Sequence, residues 1–147
     1  MNTPKNPIEI VLAAQEFAMS MRPKVGGFPV LAEVLRQAGV RSSTWTLPAC
    51  QSVYVTTHGN VVSQGTPLLT GWANIPCFDQ EKLIVALRTD QAGNSSFPEF
   101  LEAAWQAGVV RYDVDFENRT VTYIGILGES YIEGYALSVI HRSEERA

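Results

Sequence analysis

Residues 28–40 read FPVLAEVLRQAGV, and residues 97–109 read FPEFLEAAWQAGV. Seven of these 13 aligned positions are identical, where unrelated chains of ordinary composition would share about one. The same offset of 69 residues sets Tyr54 on Tyr123 and Gly59 on Gly128, with Val55 on Ile124 between them. A match that continues past the first segment reads as an internal duplication, and a repeat decides architecture before any single element does.

Each copy makes sense as a helix that launches strands. Ser96 and Glu99 have capping-box spacing, and Pro98 sits in the first turn, where its missing N–H costs nothing. Phe97, Phe100, Leu101, Ala104 and Trp105 then fall on one helical face, and Gly108 supplies a left-handed stop. The earlier copy keeps the stripe with Phe28, Leu31, Ala32 and Leu35 and stops at Gly39. Gly27 replaces the capping serine, so that helix should start less firmly.

Beyond Gly108 the period shortens from 3.6 to 2. Val110, Tyr112, Val114 and Phe116 alternate with Arg111, Asp113 and Asp115, the pattern of a half-buried strand. Glu117 and Asn118 turn the chain into a strand from Arg119 to Ile126, and Gly128 with Glu129 turns it again before Tyr131 to Tyr135. In the first copy Ser43, Trp45 and Leu47 stand where Tyr112, Val114 and Phe116 do, followed by strands at Val53–Thr57 and Val61–Ser63. Helices at Ile8–Met19 and Asp79–Arg88 precede the two copies. The unit is helix, helix, three-stranded meander, over residues 7–63 and again over 79–137. A connector at 64–78 joins them, and a charged tail from His141 to residue 147 should fray. One such unit is marginal alone, so the two should pool their apolar faces in a single domain over 1–147. The expected fold is α+β, pseudo-twofold, with antiparallel sheets covered by helices.

Composition narrows the function classes. Hydrophobic residues make up 46% and charged residues 18%, as in water-soluble globular proteins. A net charge of −4, with the 11 basic residues scattered, argues against a nucleic-acid partner. Two cysteines, Cys50 and Cys77, are too few for a disulfide framework and suit a reducing cytoplasm. The first residues lack the apolar core of a signal peptide, and no stretch approaches the ~20 apolar residues a membrane span needs.

Candidate chemistry is sparse. No phosphate-binding glycine loop, nucleophile elbow or zinc-protease pattern is present. His58 reads as a solvated turn residue, and nothing flanking Cys50 supports pairing it with His58 as nucleophile and base. Two cysteines and two separate histidines do not supply a zinc site, so neither a metal nor a cofactor is expected. Asp113 and Asp115 share one strand face, where they could bind a hard cation, split their pKa values, or simply line a solvated surface beside Arg111. The last strand aligns Glu129, Tyr131, Glu133 and Tyr135, either lining a pocket or guarding an edge with charge. In the connector, Leu68, Leu69, Trp72 and Ile75 are too apolar for a solvated linker. They either plug the joint between copies or form a functional loop. Tyr54 and Tyr123 read as core aromatics with a hydroxyl partner.

The segment FPEFLEAAWQAGVVRYDVDFENRTVTYIGILGESYIEGY, residues 97–135, resembles the C-terminal half of a bacterial and prophage family known as domain of unknown function 1398, whose members often carry the label phage envelope protein. The resemblance implies a small α+β protein and transfers no catalytic residue. The leading expectation is a non-enzymatic cytoplasmic module that binds a small molecule or protein partner at the seam between halves, with a homodimer as one arrangement. Trp72, Asp113, Asp115, Tyr131 and Glu133 are the candidate lining. The alternatives are a hydrolytic enzyme using Asp113 and Asp115, with or without a cation, and a prophage-derived assembly protein.

Overall fold

The chain runs α1 (Pro7–Met21), α2 (Gly27–Gln37), β1 (Val40–Thr46), β2 (Gln51–Thr56), β3 (Val61–Gln64), α3 (Gln80–Gln91), α4 (Phe97–Gln106), β4 (Val109–Asp115), β5 (Thr120–Gly125) and β6 (Ser130–Gly134). This computed structural model describes residues 6–21 and 27–140, so the charged tail from His141 lies outside the described residues. The order α-α-β-β-β therefore occurs twice, as the periodicity predicts.

The helix starts follow their capping residues. In α4 the Ser96 hydroxyl accepts from the Glu99 N–H at 3.3 Å, and the Glu99 carboxylate accepts from the Ser96 N–H at 2.7 Å. Two otherwise orphaned donors are thus satisfied, worth about 1 kcal/mol for such a cap. Asp79 caps α3 by accepting from the Lys82 N–H at 3.1 Å. That helix runs on to Gln91, past the expected end at Arg88, because the left-handed residue that stops it is Gly93 at φ 78°.

The six strands form one antiparallel sheet in the order β3-β2-β1-β4-β5-β6. The two meanders thus share a single sheet, joined where β1 pairs with β4. Each of these strands would otherwise be a bare edge with a row of unmet N–H and C=O groups. Thr44 lies directly opposite Asp113, its counterpart at the offset of 69 residues. Both ends of the seam are closed alike: the Leu47 N–H donates to Val110 O at 2.9 Å, and the Phe116 N–H donates to Arg41 O at 3.1 Å. Leu47 and Phe116 are buried. Register shifts at Val40/Ser42 and Val109/Arg111 mark a bulge in each central strand. Such bulges add local twist.

Helix contacts fall on one face of this sheet. Along β2, Ser52, Tyr54 and Thr56 are buried while Val53 and Val55 are exposed. Gln15 of α1 donates to the Tyr54 hydroxyl at 3.1 Å, giving that buried phenol its partner. Phe28 of α2 meets Tyr135 edge-on with ring centres 5.1 Å apart, and Phe97 of α4 meets Trp45 of β1 in the same way at 5.1 Å. Trp45 also stacks on Tyr112 across the seam. Val34, Leu83, Ala104 and Val109 complete the buried interior.

The connector is bonded at its start to the turn between β1 and β2. Gly65 N–H donates to Cys50 O at 2.8 Å and Leu68 N–H to Pro48 O at 2.9 Å. Leu68 and Leu69 pack against the core, whereas Trp72 and Ile75 stay exposed. Its last residues, Cys77 and Phe78, lie against Gly108 and Gly125. Among the described residues, no helix is long and apolar enough to cross a membrane.

Candidate functional site

On the sheet face turned away from the helices, the two halves meet with no described helix packed over them. Directly paired residues on neighbouring strands share a face, and following the pairs across all six strands gives the row Val62–Val53–Thr44–Asp113–Thr122–Ile132. Its flanks are apolar and exposed: Val62 at 62%, Val53 at 37% and Ile132 at 61%. Its centre, over the seam, is polar. The row on one side carries Thr46, Arg111 and Ile124, and the row on the other carries Val55, Ser42 and Asp115.

The two central carboxylates have different employment. Asp113 lies 3.5 Å from the guanidinium Nε of Arg111, and both side chains are partly exposed, at 39% and 49%. Its Oδ1, the oxygen of that ion pair, is shielded and accepts no hydrogen bond from the described residues. Asp115 instead closes the β4–β5 turn, accepting from Asn118 Nδ2 at 2.7 Å and from the Glu117 and Asn118 N–H groups at 3.0 Å each. These bonds, those from Asn118 foremost, hold its carboxyl below the ordinary aspartate range. The pair shares a face, as strand spacing requires, but its two members do not act on one point.

Tyr131 and Glu133 stand on the opposite, helix-bearing face. Tyr131 pairs with Tyr123 and Glu133 with Val121, both buried in the core. The Tyr131 hydroxyl donates to Glu133 Oε2 at 2.8 Å, while Arg88 and Gln91 of α3 donate to Oε1 at 2.9 and 2.7 Å. This knot ties the last helix turn of α3 to edge strand β6. Trp72 is fully exposed on the connector. The five candidate residues thus fall into three places: Asp113 and Asp115 on the open face, Tyr131 and Glu133 on the covered face, and Trp72 on the connector.

Burial alone would raise the Glu133 carboxyl, but the bonds from Arg88, Gln91 and Tyr131 outweigh it and hold the group below its ordinary range. A carboxyl depressed on folding stabilises the fold fully above its unfolded pKa of about 4.3, and that contribution fades as pH falls through the lower folded value. Glu133→Gln is therefore expected to cost about 1 kcal/mol at neutral pH and little under strong acid. Urea midpoints measured from neutral pH to about pH 3 check this. An identical loss at every pH would show that the carboxylate charge plays no part.

The remaining nucleophiles and bases are structurally committed or isolated. Cys50 is buried, at a positive φ of 51°, and its Sγ donates to Leu47 O at 3.4 Å. Burial pushes its thiol pKa up, away from thiolate chemistry. His58 sits in the β2–β3 turn, its N–H donating to Thr56 Oγ1 at 3.0 Å. Cys77 is exposed. Among the described residues, no group of three His, Cys, Asp or Glu side chains is arranged to hold a metal ion.

Sequence reasoning missed Arg88 and Gln91, which reach Glu133 from 45 and 42 residues away; no local pattern announces so distant a pairing. It also missed Thr44 as the partner of Asp113. The offset of 69 residues that aligns the two copies in sequence also sets Thr44 on Asp113, the residue it pairs with.

Two comparisons with known proteins bear on the chain. The model of a family described as "Protein of unknown function (DUF1398)" matches residues 17–133, a span from within α1 to β6 that holds both faces of the sheet. Proteins of Mycobacterium tuberculosis and Mycobacterium bovis, each named only as uncharacterized, are 57% identical over 130 residues, covering 88% of this chain and 79% of theirs.

Proposed function

This chain belongs to the DUF1398 family, and from that footing we propose that it is a non-enzymatic module binding a small molecule or protein partner on the open sheet face across the β1–β4 seam. The observation that carries this reading is the row Val62–Val53–Thr44–Asp113–Thr122–Ile132, apolar at both ends and polar over the seam. Binding surfaces commonly join apolar area to a few placed polar groups.

A carboxylate-based hydrolytic reading needs two carboxyl groups free to face one substrate, one acting as acid and the other as base or nucleophile. Asp115 spends its oxygens on three turn bonds, and Asp113 lies beside Arg111. That division of labour favours recognition over acid–base work. In this reading Asp113 fixes orientation at the seam, and Val53, Val62 and Ile132 supply contact area. Tyr131 and Glu133 brace the edge strand from behind, and Trp72 offers a separate contact on the connector.

Amide chemical-shift mapping of the 15N-labelled chain against a library of small apolar and cationic fragments tests the reading. Shifts should cluster at Thr44, Val53, Asp113 and Thr122, and Thr44→Lys should abolish them while leaving the rest of the spectrum in place. Hits gathered among helix residues, and untouched by Thr44→Lys, would overturn it.

A further inference from the structure

Resting on the reading of the open face as a docking surface, we infer that its occupant is a second copy of this chain, packed sheet against sheet about a twofold axis so that Arg111 of each copy meets Asp113 of the other.

Size permits it. Six strands at about 4.8 Å spacing make a face about 29 Å wide, and strands of about six residues make it about 20 Å long. Two such faces in contact remove about 1,200 Å² from water, at the threshold of a specific stable interface. Val53, Val55, Val62 and Ile132 are exposed on it, with threonines filling the rows between. Such a composition suits the inner face of a sheet sandwich better than a surface meant only for water.

Charge selects the partner. A twofold interface brings a patch against itself, so the patch must be its own complement. Arg111 and Asp113 lie two residues apart on central strand β4, on the same face, both partly exposed. Consider an axis lying in the interface, running across the strands at the level of Tyr112. It keeps every strand over its counterpart and reverses positions along the strand, so Arg111 of one copy stands over Asp113 of the other. Four charges then alternate in sign around the axis, each arginine flanked by its own aspartate and the other copy's. Every strand keeps its lateral place, so Val53 lies over Gln51 of the other copy, Val62 over its Gln64, Thr122 over its Ile124 and Ile132 over its Ser130, and the exposed apolar side chains pack on amide, hydroxyl and aliphatic groups. The tilt of about 30° between packed sheets moves groups least beside the axis, where these charges are.

Sedimentation velocity on the full chain over the micromolar-to-millimolar range provides the test, with circular dichroism to confirm folding of each variant. The native chain should sediment at twice its 16.2 kDa mass as concentration rises. Arg111→Asp and Asp113→Arg should each weaken the dimer about tenfold or more, because like charges then face each other. The double exchange R111D/D113R regenerates the alternation and should restore the dimer. Val53→Lys, at an exposed strand position that tolerates lysine, should give a folded monomer.

A native chain that stays monomeric throughout overturns the inference. So does a dimer indifferent to Val53→Lys, or one that the double exchange leaves as weak as the single exchanges do. A native monomer whose fragment shifts still gather at Thr44 and Asp113 would remove the second copy and leave the docking face standing. A native monomer with fragment shifts elsewhere would remove both.

Discussion

Phe116→Ala is expected to lower the unfolding free energy by about 3–5 kcal/mol, a large part of the ~5–15 kcal/mol that holds an ordinary domain. Phe116 is 2% exposed and heads the largest fully buried side chains. Its position adds to its size. It follows the last residue of β4, and its N–H crosses the seam to Arg41 O at 3.1 Å, so the ring plugs one end of the β1–β4 junction. Leu47 does the same at the other end, buried and bonded to Val110 O. A cavity at either end opens beneath β1–β4, the strand pair that joins the halves among the described residues. Urea unfolding of the native and variant chains provides the measurement. A loss below about 1 kcal/mol would show that the site collapses around the missing ring, and that the seam does not depend on its plug.

Gly108→Ala is expected to cost about 3 kcal/mol or more, well beyond the ordinary penalty for a side chain at positive φ. Gly108 has φ 86°, and a Cβ placed there would lie 2.5 Å from the carbonyl carbon and oxygen of Cys77 and from Cα of Phe78. These are backbone atoms and cannot rotate aside. They are held in place because the Asp79 N–H donates to Ala107 O at 2.8 Å while Asp79 caps α3. Gly128 is the control. Its φ is 89°, yet a Cβ there would meet nothing within 4 Å. Gly128→Ala should therefore show only the left-handed penalty, about 1–2 kcal/mol. Equal losses at the two positions would mean that the connector yields and that its contact with Gly108 is not rigid.

These glycines show how far local reasoning reaches. Gly108 is recognisable in the sequence as a helix stop, and it is one. Its second task, admitting the connector's backbone, is visible only when residues 77 and 78 are seen lying against it. The capping box at Ser96 and Glu99 was legible because its partners are three residues apart, and the alternation in β4 because a strand exposes every second residue. The bond from Arg88 to Glu133 was not legible, since it spans 45 residues and depends on where α3 docks. The same holds for Asp115. Strand spacing places it beside Asp113, but its nearness to Asn118, and with it the turn that takes up its carboxylate, depends on how the chain reverses.

By itself the sequence determined the elements, their order, the repetition of α-α-β-β-β and the α+β class. All of these arise from interactions between residues a few positions apart, which periodicity and capping chemistry record directly. Only the tertiary structure decided that β1 pairs with β4 to merge two meanders into one sheet, and that helix contacts fall on one side of it. It alone separated Tyr131 and Glu133 from Asp113 and Asp115. Those outcomes depend on which strand edges meet and which apolar faces are pooled, and such choices are settled by burial between parts of the chain that carry no mark of each other.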